Sequence, residues 1–147
     1  MISSRDLKDL HPKVQAMAQA FLDKCKAEGI DVLITCTYRD GAAQDALYAR
    51  GRSLLLENGQ PVKIVTNAKA GQSAHQYRLA FDMVPLRQGK PVWGGSNADL
   101  MLWQRVGNIA EEVGLEWAGR WTKFRELPHC QYLGGHPLSY FEQGGKL

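Results

Sequence analysis

Leu79-Ala-Phe-Asp-Met-Val84 is the stretch on which the reading of this chain turns. It is short and apolar apart from Asp82, which predicts a buried strand. A carboxylate sits in such a strand only when a positive charge or hydrogen-bond donors compensate it. Working upstream, Gly71-Gln-Ser-Ala-His75 predicts a loop that ends on a histidine seven residues before Asp82. Side chains alternate along a strand, so an offset of seven throws the two to opposite faces of a straight one. Gln76-Tyr-Arg78 must therefore turn or bulge if His75 and Asp82 are to reach one ion. Downstream, Arg87-Gln-Gly-Lys90 turns the chain and Pro91-Val-Trp93 returns.

Further out, Val14, Met17, Ala18, Phe21, Leu22 and Cys25 recur at helical steps and predict a helix over 12–28. Pro12 suits its first position and Gly29 its end. The β-branched run Ile30–Thr37 predicts a largely buried strand. A second helix is expected over 42–50, with Gly51 as its stop. Glu57–Pro61 is turn chemistry, and the alternation in Val62–Thr66 predicts another strand. Ser96 is placed to cap a third helix over 97–113, with Leu102, Val106, Ile109 and Val113 as its buried stripe. A strand over Cys130–Leu133 and a turn-rich tail complete the reading. Helices and strands mix without regular βαβ alternation, which predicts an α+β class rather than a doubly wound sheet.

Length and composition set the outer bounds. The 147 residues have the size of one domain spanning 1–147. A hydrophobic share of 44% with 22% charged residues excludes intrinsic disorder. Eighteen Lys+Arg against fifteen Asp+Glu give +3, dispersed along the chain, which argues against nucleic acid as a partner. No apolar run approaches the roughly 20 residues of a membrane span, so no stable membrane association is expected. The first residues lack an apolar secretory core, which predicts synthesis in the cytoplasm without a signal peptide. Cys25, Cys36 and Cys130 form no CxxC pair and indicate no disulfide framework.

Four histidines remain to be sorted. His11 precedes Pro12 and reads as a surface or capping residue, and His136 lies in a turn. His75 and His129 each have a nearby carboxylate, Asp82 and Glu126 respectively. Pro128 prevents Glu126-Leu-Pro-His129 from being a helical HExxH arrangement. A catalytic zinc takes three protein ligands and leaves one position open for water. His75, Asp82 and His129 are ligands of the right kind, and Glu126 would be the unligated carboxylate beside that water. The alternative is that Asp82 pairs with a core arginine while His75 is a plain loop residue. Spacing leaves both open.

The motifs together are more specific. Gln72-Ser-Ala-His75 followed by Ala80-Phe-Asp82 resembles the SxHxxGxAxD motif of zinc-dependent D,D-peptidases. That family includes D-alanyl-D-alanine carboxypeptidases and phage endolysins that cut between L-alanine and D-glutamate. Thr37-Tyr-Arg-Asp40 with Leu47–Arg52 resembles the segment carrying the family's substrate-binding arginine. Lys63–Ser73, Gly114-Leu-Glu-Trp117 and Glu126-x-Pro-His129 are similar to the phage endopeptidase branch. The resemblance runs in order from about 30 to 133. It implies a small antiparallel sheet backed by helices, of the hedgehog/D,D-peptidase kind.

It also implies one zinc ion on His75, Asp82 and His129, with Glu126 as general base. Arg39 would orient substrate or stabilise the oxyanion, Ser73 would support the site, and Tyr38 is a candidate for substrate contact. The family's usual glycine three residues after the first ligand is Arg78 here. An arginine there repels a dication unless it points to solvent. The implied activity is cleavage of the peptidoglycan stem peptide by a monomeric enzyme, released to the wall during host-cell lysis. The bond expected is L-alanyl-D-glutamate, with D-alanyl-D-alanine carboxypeptidase as the alternative. A wall-binding module without full activity is a further reading, and so is a structural zinc domain with Cys130 as fourth ligand. Cys130 itself reads as core-facing. The tryptophans at 93, 103, 117 and 121 would line a cleft or fill a core, and Gln44, Asp45 and Tyr48 are expected to serve packing or solvent exposure.

Overall fold

The computed structural model describes residues 1–147, and its central element is the strand containing Asp82. In chain order the elements are α1 (Pro12–Ala27), β1 (Asp31–Cys36), α2 (Gly41–Ala49), β2 (Leu56–Glu57), β3 (Gln60–Pro61), β4 (Ala80–Arg87), β5 (Lys90–Pro91), α3 (Asn97–Glu112), β6 (Glu116–Trp117), β7 (His129–Gln131) and α4 (Leu138–Glu142). The main sheet runs β1-β4-β7-β6, with β5 also on β4, and every pairing is antiparallel. This is the expected α+β class, a small antiparallel sheet backed by helices.

Apolar periodicity places the helices. Val14, Ala18, Phe21 and Cys25 of α1 are buried, and Phe21 packs on Phe81 of β4 with ring centroids 5.8 Å apart. The neighbours of Phe81 in the strand, Ala80 and Asp82, point to the opposite face. Helices α1 and α3 therefore cover one side of the sheet while Asp82 looks out of the other. Cys130 is fully buried in the core, as expected. On α3 the buried stripe is Trp103, Val106, Gly107, Ile109 and Ala110. The predicted Leu102 and Val113 lie only at its margin, because the helix rotates to seat Trp103.

Trp117 of β6 lies in the gap between two glycines. A Cβ on Gly107 or on Gly119 would come within 2.2 Å of its ring, so both positions must stay bare. The indole Nε1 donates to Leu127 O at 2.8 Å and ties the 118–128 segment to the core. That segment is further held by Glu126 N–H donating to Ala118 O (3.3 Å) and Met83 N–H to Pro128 O (3.0 Å).

Four expectations need correction. β1 is not largely buried: it is an edge strand, and Leu33 is 40% exposed while Val32 and Ile34 face the core. Val62–Thr66 forms no strand. Its Thr66 carbonyl accepts from Arg52 Nη1 instead, Gly51 packs against the Ile64 backbone, and Ile64 and Val65 project outward. Of the loop expected over 71–75, Ala74 and His75 already belong to a 3₁₀ turn, Ala74–Tyr77. The tail contains α4, whose Phe141 is buried.

Candidate metal centre

A row of three cross-strand partners builds the site. Cys36 on β1 pairs with Asp82 on β4, and Asp82 pairs with His129 on β7. Directly opposed residues in an antiparallel sheet share a face. The row exists because β1 is bulged: Ile34 pairs with Met83 and Cys36 with Asp82, so Thr35 is an extra residue.

His75 arrives from outside the sheet. Ser73 caps the 3₁₀ turn Ala74–Tyr77, its Oγ accepting from His75 N–H at 3.3 Å, and the Gln76 side chain accepts in return from Ser73 N–H. Arg78 follows in the left-handed region (φ 64°) and reverses the chain into β4. This supplies the turn that the seven-residue offset demanded. His75 Nε2 then lies 3.2 Å from Asp82 Oδ1, and His129 Nδ1 lies 3.3 Å from the same oxygen.

The other nitrogens are also engaged. His75 Nδ1 is 2.7 Å from Thr37 O, an atom that can only accept, so Nδ1 carries the proton and Nε2 faces Asp82. His129 Nε2 is 2.8 Å from Gln131 Oε1. Burial disfavours a charge on His75, but the Asp82 carboxylate outweighs it and raises the imidazole to about 9. Burial likewise opposes ionisation of Asp82, yet the two histidines bring its carboxyl well below the usual range. The pocket thus demands positive charge beside a carboxylate, flanked by two imidazoles. That donor set fits a divalent cation of borderline softness.

Sequence reading missed Cys36. Its Sγ, a His75 ring nitrogen and an Asp82 oxygen lie within 4.8 Å of one another, while His129 joins through Asp82. Burial pushes the Cys36 thiol up, but His75 and Arg39 overcome this and lower it. Arg39 reaches the same spot, with Nη1 3.7 Å from Cys36 Sγ and 3.9 Å from Asp82 Oδ2. Its Nε donates to Gln44 Oε1 at 2.9 Å, and Gln44 Nε2 donates to Ala68 O at 2.8 Å. Gln44, expected only to pack or face solvent, is buried and aims the arginine. An amide at a helical position carries no sequence signal for that task.

A cleft of about 1010 Å³ opens over this row. Arg39, Ser73, His75, Asp82, Glu126 and His129 all line it, with Trp93, Trp121, Phe124, Ile64 and Val65 as apolar walls. Glu126 Oε2 stands 3.8 Å from His129 Nδ1, with its side chain about half exposed (47%). Tyr38 is not among the lining residues. Its ring lies instead beneath the Arg78 guanidinium, 3.9 Å away. Arg78 also donates to Asp9 O at 2.8 Å, so its charge is directed away from the cleft.

Comparison with known proteins identifies the family. A family model described as D-alanyl-D-alanine carboxypeptidase matches residues 66–132. The chain is 35% identical over 130 residues to the peptidoglycan L-alanyl-D-glutamate endopeptidase CwlK of Bacillus subtilis, covering 85% of this chain and 74% of that one. It is 29% identical over 147 residues to the L-alanyl-D-glutamate peptidase of Listeria phage A118, covering 97% of this chain but 45% of the phage protein. Among solved structures, the vancomycin-resistance D,D-pentapeptidase VanY in complex with Zn(II) superposes with a TM-score of 0.61 at 15% identity, over 91% of this chain and 78% of that one. The chain belongs to this family of peptidoglycan metallopeptidases. The family expected from the motifs is the family found.

Proposed function

We propose that this chain is a zinc peptidase that cleaves the L-alanyl-D-glutamate bond of peptidoglycan stem peptides, with residues 1–147 acting as a monomeric catalytic unit. The observation that carries the reading is the meeting of His75, Asp82 and His129 at one carboxylate oxygen, with Glu126 beside them on a cleft wall. His75 Nε2, Asp82 and His129 Nδ1 would hold the ion. When bound, zinc supplies Lewis acidity to the scissile carbonyl and lowers the pKa of water toward ~7.

The remaining steps belong to the chain. Glu126 takes a proton from the attacking water and returns it to the leaving amine. Arg39, aimed by Gln44, donates to the oxygen on which negative charge develops. Ser73 keeps His75 in place through its backbone. Trp93, Trp121 and Phe124 present the apolar and aromatic surface against which the peptide lies. The preference for the L-alanyl-D-glutamate bond over D-alanyl-D-alanine rests on the two sequence relatives. The enzyme would meet its substrate in the cell wall after release from the cytoplasm.

Mass spectrometry of purified muropeptides digested with and without a chelator tests the reading. The expected products carry a new D-glutamate amino terminus, and chelation abolishes them. Loss of only the terminal D-alanine would assign carboxypeptidase activity instead, and cleavage undiminished by chelation would reject the metal mechanism.

A further inference from the structure

His129 Nε2 lies 2.8 Å from Gln131 Oε1, and Gln131 Nε2 lies 3.4 Å from Glu116 Oε1. The other oxygen of Glu116 accepts from Trp121 Nε1 at 2.8 Å. Every polarity in this chain follows from its far end. An indole N–H can only donate, and an ionised carboxylate can only accept. Glu116 therefore takes the amide NH₂ of Gln131, which turns the amide oxygen toward His129. An oxygen facing Nε2 requires the proton on Nε2. Nε2 is thereby committed to donating, and Nδ1, 3.3 Å from the Asp82 carboxylate, is the nitrogen left to take either a second proton or a cation.

We infer that Gln131 and Glu116 are positioning residues that set the His129 tautomer, and so decide which of its nitrogens is offered to the metal. The inference rests on the zinc reading above only for its effect on affinity. Gln131 is buried and Glu116 is exposed, so the amide sits between the ring and a solvated anchor. His75 obtains the same control from a backbone carbonyl, which cannot rotate. The His129 side uses an amide that could flip, and Glu116 is what removes the ambiguity.

The groups behind a ligand histidine typically change metal affinity by roughly 10–100-fold. Gln131→Met keeps the length of the side chain but removes both polar atoms. Gln131→Glu keeps an acceptor for Nε2–H. Two readouts separate the possibilities: nitrogen-15 NMR of His129 in the metal-free protein, and zinc affinity by chelator competition.

The expected result is Nε2–H in the wild type, a tautomer mixture with zinc binding weakened roughly 10-fold or more in Gln131→Met, and recovery of the Nε2–H form in Gln131→Glu. Wild-type His129 without a proton on Nε2 would overturn the inference, even if Gln131→Met failed to fold. So would a Gln131→Met protein with unchanged tautomer and zinc affinity. Wild-type protein that bound no zinc, yet showed Nε2–H, would support the tautomer assignment and overturn the metal reading instead.

Discussion

Asp82 and His129 are directly opposed residues on neighbouring strands, and their side chains meet at 3.3 Å. Sheet pairing rather than loop conformation therefore fixes this part of the site. It allows changes at the chemistry to be separated from changes in the scaffold.

Glu126 is about half exposed on the cleft wall and makes no side-chain hydrogen bond. Glu126→Gln is expected to retain zinc by elemental analysis and to lose kcat by roughly 10²-fold or more on muropeptide substrates. A variant within threefold of wild type would remove Glu126 from the role of base.

His129→Ala and Asp82→Asn act on the other half. The first removes a donor atom and the second the charge that holds the cation, and each should be isolated without zinc after dialysis against a weak chelator. Stoichiometric zinc in His129→Ala would strike it from the ligand set and make Cys36, already close to His75 and Asp82, the third donor to examine.

Arg78 stands where the motif resemblance leads one to expect glycine. Its side chain lies over Tyr38 and on Asp9 O, away from the cleft, so Arg78→Gly is expected to leave kcat/KM within about threefold. Relief of the left-handed backbone, of order 1–2 kcal/mol, offsets part of the lost contacts. A tenfold rise in activity would show that the charge does reach the metal site.

Gly107→Ala tests the seat of Trp117. The new methyl meets the indole ring with no free space, and overpacking of this kind costs roughly 1–3 kcal/mol. Thermal unfolding should show a lower Tm. Because Trp117 also holds Leu127, the loss of activity on warming should precede global unfolding. Coincident transitions would mean that the 118–128 segment is not tied through Trp117.

Much of this was legible from the chain. The mismatch between an offset of seven and a period of two required a turn at 76–78, and the structure puts the 3₁₀ turn and left-handed Arg78 there. Caps and glycines set the ends of α1 and α3 because those signals are local. Val62–Thr66 failed as a strand because alternation says nothing about whether a partner strand is available, and Arg52 took the carbonyl instead. Cys36, Gln44 and Gln131 were missed for a shared reason. Each acts through a neighbour distant in sequence: Cys36 through Asp82, Gln44 through Ala68, Gln131 through Glu116. No local pattern marks such a partner.

The extra residue Thr35 has a consequence for how this enzyme can vary. Were Thr35 to pair in the ladder instead of bulging, β1 could hydrogen-bond to β4 without interruption, and the sheet by itself would register no defect. Yet the reading frame of everything after it would move by one: Cys36 would leave its place opposite Asp82, Thr37 would withdraw the carbonyl that orients His75, and Arg39 would no longer reach Asp82. Lengthening the 58–59 hairpin tip, by contrast, would leave all three distances alone. Insertions and deletions in relatives should thus accumulate in the hairpin and be purged between residues 36 and 39, a pattern of tolerated gaps that measures the site by counting residues.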